Sequence, residues 1–281
     1  LALVMAIVAV SFAAIFFRLA QPTPPLVASA IRLTFAGLLL TPVVYRALST
    51  GSLSRRSAYA ALVGGLAYAL HFGAWVSSLE LTTIAASTTI VTTSPLWLTL
   101  YERFARGARA PLQLWMSLGL AGTGVVLIGG SDWQLSAAAL RGDAFALLGA
   151  FAICIYLVVA QRHGSSAPAL AFTGVAAMSG ALALWIGAAA SNTLELPPTA
   201  EAWGWLAMAA LVPQLIGHTL LTWALRHAQP SVVATATVAE PVGSTLLAWW
   251  LLGETVPPLV ALGCTLTGAA VVWGIRARRS M

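Results

Sequence analysis

Almost the whole chain is a succession of apolar runs of about 20 residues, the length a helix needs to cross the hydrocarbon of a bilayer. Short breaks holding proline, glycine or arginine separate the runs. No other feature constrains the fold as strongly. The pattern predicts ten helices, over 1–19, 26–45, 57–79, 84–101, 111–129, 142–161, 168–190, 203–226, 231–252 and 257–275. The breaks carry Pro22, Pro24 and Pro25, then Gly51, Gly107 and Pro111, Gly129 and Gly130, Pro168, Pro197 and Pro198, Pro230, and finally Pro257 and Pro258. Such residues punctuate helices because proline cannot continue one and glycine ends one cheaply.

Composition closes off the soluble alternative. The chain is 59% hydrophobic and 8% charged, with mean hydropathy +0.89, where a soluble domain carries about a quarter charged residues. No stretch is long or polar enough for a separate soluble domain. The net charge of +6 and pI of 10.2 reflect topology rather than a nucleic-acid partner. There is no lysine. With the N-terminus inside, Arg46, Arg55, Arg56, Arg103, Arg106, Arg109, Arg162, Arg226, Arg276, Arg278 and Arg279 fall on the inner side, and Arg18 and Arg141 outside. Arginine is retained in cytoplasmic loops, so both termini are predicted to be cytoplasmic. High Ala and Arg content fits a bacterial source, and the location expected is the bacterial inner membrane. The chain opens directly in an apolar run at Leu1, so a start Met and a short basic lead are expected ahead of it, without a cleavable signal peptide. Cys154 and Cys264 lie inside apolar helices and read as small hydrophobes.

A shift of 146 residues superimposes Thr89 on Thr235, Pro95 on Pro241, Gly107 on Gly253, Pro111 on Pro257, Gly122 on Gly268, and Val125-Val126 on Val271-Val272. Each half then has five helices. Five is odd, so the second half enters the membrane in the opposite sense. The expected fold class is all-α, a polytopic membrane protein of ten transmembrane helices in two inverted five-helix repeats, residues 1–130 and 131–281. Inverted repeats place substrate sites near the midplane, at their interface.

Polar residues at membrane depth mark the candidates. In "ASTTIVTTSPLW" (86–97), Thr88, Thr92 and Pro95 share a helix face, and Thr89, Thr93 and Trp97 the next, with Ser94 beside the proline. Pro95 removes one amide donor and is expected to kink the helix. The stretch is either a kinked wall of a water-filled cavity or a hydroxyl-rich packing face. In the ninth helix Thr237, Glu240, Pro241 and Ser244 repeat the arrangement, and Pro241 is the matching kink. A charged, unpaired Glu240 costs at least ~2.5 kcal/mol at the bilayer centre. It is a substrate-amine site, a proton site, or a structural acid bonding its neighbours. Tyr68, His71, Phe72 and Trp75 form one aromatic face of the third helix, and Gln214 and His218 follow Pro213 in the eighth. His218 lies within one residue of the repeat equivalent of His71. The histidines read as binding or protonation sites, or as packed residues; Tyr68 and Trp75 also fit packing or an interface belt. Trp133, Trp203 and Trp205 fit the belt better. Arg32 reads as structural, snorkelling outward or paired with an acid. No metal-ligand spacing, cofactor motif or catalytic constellation points to an enzyme, and a phosphorylated substrate would require a basic cluster that the spans do not hold.

The stretches "PPLVASAIRLTFAGLLLTP" (24–42) and "AEPVGSTLLAWWLLGETVPP" (239–258), with the ten-helix inverted repeat, resemble EamA-type members of the drug/metabolite transporter superfamily. The resemblance implies a secondary transporter without a cofactor. Two departures confine any role of the acids to one half: Ser94 stands opposite Glu240, and Ala108 opposite Glu254. The expected substrate-binding set is Tyr68, His71, Trp75, Thr88, Thr92, Ser94, Trp97, Gln214, His218, Thr237, Glu240 and Ser244. The expected function is export of small metabolites by alternating access, amino acids, including aromatic ones, first among them. Alternatives are export of drugs or nucleosides, or a non-transporting membrane protein such as an intramembrane enzyme or scaffold. The expected partners are the small-molecule substrate and the lipid bilayer.

Overall fold

A computed structural model describes residues 1–105, 107, 112–163, 167–227 and 236–276. Arg106, Ala108, Arg109, Pro111, Pro230, Thr235, Arg278, Arg279 and the side chain of Trp133 lie outside the described residues. The described chain is helical apart from its connecting turns and loops, with no strand among the described residues.

The first span is α1 (Ala2–Ser11) and α2 (Ala13–Leu19), broken at Phe12. The second is α3 (Pro25–Ser49), opened by a proline at its first position, where the missing N–H costs nothing. The third is α4 (Arg55–Leu81), capped by the Ser54 hydroxyl, which accepts from the Ser57 N–H. The fourth is split into α5 (Ile84–Val91) and α6 (Ser94–Ala105). Then come α7 (Leu112–Leu135), α8 (Ala137–His163) and α9 (Ala169–Ala190). The eighth span runs from α10 (Ala200–Ala209) through a widened π-helical segment, Ala210–Gly217, into α11 (His218–His227). The ninth contains α12 (Ala239–Leu247) and a second π segment, Ala248–Leu252; the tenth is α13 (Pro258–Arg276).

Three expectations need correction. The fourth span is interrupted at Thr92 and Thr93 rather than merely kinked. Pro95 therefore sits in the first turn of a new helix, where its absent donor has no partner to lose. Gly129 and Gly130 do not end the fifth helix, which runs to Leu135. A helical glycine costs about 1 kcal/mol, less than unpaired backbone groups in lipid. The break between the fifth and sixth spans thus falls at Ser136. Finally, α8 starts at Ala137 rather than 142, which puts Arg141 on the helix.

Six spans are each long and apolar enough to cross a membrane, and the stretches Leu112–Ile128 and Pro258–Gly274 are shorter apolar helices. Leu38, Leu39, Leu62, Leu66, Leu182 and Ile186 point outward and exposed, as lipid-facing side chains do. Inside, helices approach closely on small residues. A Cβ on Gly65 of α4 would lie 2.5 Å from the Ala176 carbonyl of α9, and one on Gly124 of α7 would lie 2.7 Å from the Gly263 carbonyl of α13. With no hydrophobic gain from burying leucine in place of lipid, such close backbone packing is what associates membrane helices.

The two repeats are visible in local structure. The break at Thr92 recurs at Val238, one repeat on, just ahead of Pro241. Gly107 and Gly253, equivalent under the same shift, adopt φ +64° and +68°, a conformation that favours glycine. Contacts also define two ends of the bundle. At one end the Ser57 hydroxyl donates to the His163 carbonyl, the Arg162 guanidinium lies 5.4 Å from the Tyr101 ring centroid, and Ala47 and Leu53 pack with Ala167 and Ala171. This end carries Arg46, Arg55, Arg56, Arg103 and Arg162. The opposite end carries Arg18, Thr82, Thr193 and Glu254.

Candidate functional site

A cavity of about 600 Å³ lies between the repeats. From the first repeat it receives Val10 and Ala13 of α1 and α2, Arg32 of α3, the Tyr68–Trp75 face of α4, and Thr92, Ser94 and Pro95 at the break of the fourth span. The second repeat contributes Tyr156 of α8, Gln214 of the π segment, His218 and Thr219 of α11, and Thr237 and Glu240 on either side of the Val238 break in the ninth span. Leu40, Val43, Leu98, Leu157, Pro168 and Leu221 extend the lining toward the arginine-rich end.

The aromatic wall follows from helical spacing. Tyr68, His71 and Trp75 stack nearly parallel: the His71 ring lies 6.3 Å from Tyr68 at 10° and 6.2 Å from Trp75 at 6°. Phe72 packs edge-on against His71, and Tyr156 of α8 extends the ladder 4.4 Å from Tyr68. His71 Nδ1 is 2.9 Å from the Gly149 carbonyl. A carbonyl only accepts, so Nδ1 carries the proton, and in the neutral ring Nε2 remains an acceptor.

A polar chain crosses the cavity. Arg32 Nη2 donates to Gln214 Oε1 at 2.9 Å, and Gln214 Nε2 donates to the Tyr68 hydroxyl at 2.7 Å. It ties α3 and α4 of the first repeat to the eighth span of the second. Gln214 is delivered by the π segment, where Pro213 lacks a donor and its ring crowds the preceding turn; widened turns of this kind often occur at functional sites. Arg32 is fully buried, with its guanidinium 4.3 Å from the Phe72 ring and 5.5 Å from Phe17. It does not snorkel, contrary to the reading of its position near a helix end.

The hydroxyl-rich stretch divides. Thr88 donates to the Ile84 carbonyl, Thr92 to Thr89, and Thr93 to Ile90. Ser87 bonds Ser78, and Thr89 contacts Cys264. Most of these hydroxyls therefore bond backbone around the break or tie helices together. Thr92 and Ser94 line the cavity; Thr88 does not. Trp97 bonds Thr93 and packs on Phe151, and Ser244 donates to the Ser11 carbonyl, so these two also stand away from the lining. Pro241 is buried outside it. Tyr156 and Thr219 also line the cavity, outside the set expected from sequence. An isolated tyrosine or threonine in an apolar helix gives no sequence signal of its own.

The end opposite the arginines is tied together. Arg18 Nη1 pairs with Glu254 Oε1 at 3.0 Å, Arg18 Nη2 donates to the Thr82 carbonyl at 3.2 Å, and Glu254 Oε2 accepts from the Ile84 N–H at 3.2 Å. These bonds join the end of α2, the α4–α5 junction and the loop before α13. No group of metal-ligating side chains occurs among the described residues.

Spanning helices in two repeats around a polar, aromatic cavity, tied at one end, define a membrane carrier. The chain belongs to the EamA-like transporter family, whose model matches residues 1–130 and 140–275. It is a multi-pass membrane protein of the drug and metabolite transporter class, and the family's members are transporters rather than enzymes. A solved structure described as "Crystal structure of protein" is similar over 96% of this chain and 95% of its own, with a TM-score of 0.66 and 21% identity. That likeness establishes the fold alone. No protein of curated function matches the sequence.

Proposed function

We propose that the protein exports small metabolites from a bacterial cell, amino acids with aromatic side chains first among them, by alternating access across the inner membrane. The observation that carries this reading is the convergence of aromatic and polar residues of both repeats on one cavity. Its volume lies within the range of about 300–1,000 Å³ common for small-molecule sites. The stacked wall of Tyr68, His71 and Trp75 offers a flat apolar surface to an aromatic side chain, and Glu240 offers an anion to an ammonium group. The moving bodies are the two five-helix units divided near residue 130. With both termini in the cytoplasm, the arginine-rich end is cytoplasmic, and the cavity extends toward the side from which an exporter loads.

The test is transport by purified protein in proteoliposomes, using labelled tryptophan, phenylalanine, leucine and alanine beside a nucleoside and a cationic drug. Saturable flux of the aromatic amino acids, competed by one another, is the expected result. Saturable flux of only the nucleoside or the drug would replace this reading with one of the alternatives.

A further inference from the structure

Arg32 is the one arginine deep within a described span of the first repeat that also lines the cavity. It sits about 10 Å along α3 from Pro25, at about 1.5 Å per residue. Of its donors, one bonds Gln214, while Nε and Nη1 have no hydrogen-bond partner among the described residues. A guanidinium has five N–H groups and cannot discard its charge, so a buried one with unsatisfied donors calls for an anion. Glu240 lines the same cavity and attracts Arg32 electrostatically. The two do not form a salt bridge: Arg18–Glu254 is the ion pair within 4 Å among the described residues. Opposite charges are thus held apart in one chamber.

We propose that the Arg32 guanidinium receives the carboxylate of the substrate, so that the cavity selects carboxylate-bearing ligands over amines lacking one. This rests on the reading that the cavity is the substrate site. Gln214 is the positioning residue. Its Oε1 takes one donor from Arg32, and its Nε2 occupies an acceptor site on the Tyr68 hydroxyl, leaving that hydroxyl's proton free to donate to the same carboxylate. The Phe72 and Phe17 rings cover the guanidinium and fix its plane. A single guanidinium without a lysine suits one carboxylate better than a phosphate dianion. A ligand carrying both carboxylate and ammonium bridges Arg32 and Glu240, each group meeting the charge it lacks.

The experiment measures binding to the full chain in nanodiscs with tryptophan, 3-indolepropionate (no amine) and tryptamine (no carboxylate). Wild-type protein should bind tryptophan about 10- to 100-fold more tightly than tryptamine, the span of a charge-assisted hydrogen bond. Arg32→Gln should collapse that ratio toward one, and Arg32→Lys should restore part of it. The wild-type series needs no variant, so it decides the matter even where Arg32→Gln fails to fold. Equal binding of tryptophan and tryptamine would overturn the Arg32 assignment while leaving an amino-acid site standing. Binding of 3-indolepropionate without tryptophan would support Arg32 and overturn the amino-acid reading. Binding of none of the three would overturn both.

Discussion

The Arg18–Glu254 pair should act as a latch on the end of the transporter where it lies, and Glu254→Gln should release it. The side chains are 24% and 19% exposed, so solvent screens the pair only in part. Two unit charges at 4 Å attract by about 4 kcal/mol at an effective dielectric of 20. Desolvation and side-chain ordering offset much of that. A net value of about 1–3 kcal/mol is reasonable for a charge-assisted pair that also holds backbone groups. The bonds to Thr82 and Ile84 span three separate segments, so they break when that end opens. Losing the charge should therefore raise the population open at that end by roughly 5- to 150-fold. The assay is labelling of Ala13→Cys, a buried cavity position, by a membrane-impermeant maleimide added from the Arg18 side. Glu254→Gln should speed labelling at least fivefold, and Arg18→Glu combined with Glu254→Arg should slow it again. An unchanged rate in Glu254→Gln, with the protein folded, would refute the latch.

Gly65→Val should destabilise the protein by about 1–3 kcal/mol, because overpacking forces helices apart and a Cβ there meets the Ala176 carbonyl at 2.5 Å; Gly119→Ala, where a Cβ meets nothing within 4 Å, should leave the melting temperature unchanged. Substitutions at the lining residues Thr92, His71 and His218 should weaken substrate binding, whereas Trp97→Phe and Ser244→Ala should change melting temperature with little change in affinity; binding isotherms and thermal scans on the same preparations separate the two groups. The proposed orientation, with both termini cytoplasmic, requires Thr193→Cys to react with an impermeant reagent added to the periplasmic face and Ser54→Cys not to, and the opposite pattern would reverse it.

Hydropathy and proline placement determined the spans, because backbone pairing in lipid permits little else. The repeat was equally legible, since Gly107 and Gly253 close equivalent turns and Pro95 and Pro241 open equivalent helices. The aromatic face of Tyr68, His71 and Trp75 could be read from spacing alone, as i, i+3 and i+7 share a face of any helix. Tertiary structure decided which polar groups look into the cavity. In a membrane, both the lipid-facing and the packed sides of a helix are apolar, so periodicity does not say which way Thr88 or Ser244 turns, and each of these found a backbone carbonyl instead. The extent of the break at Thr92 and Thr93 also depended on neighbours able to hold two half-helices in line. Arg32 shows the division best. Its position near a helix end fits snorkelling, yet Phe17, Phe72 and Gln214, brought from three other spans, enclose it and turn it inward. Glu254 likewise found an ion-pair partner because the fold sets the last loop beside Arg18, a pairing of residues far apart in the chain that local sequence does not encode.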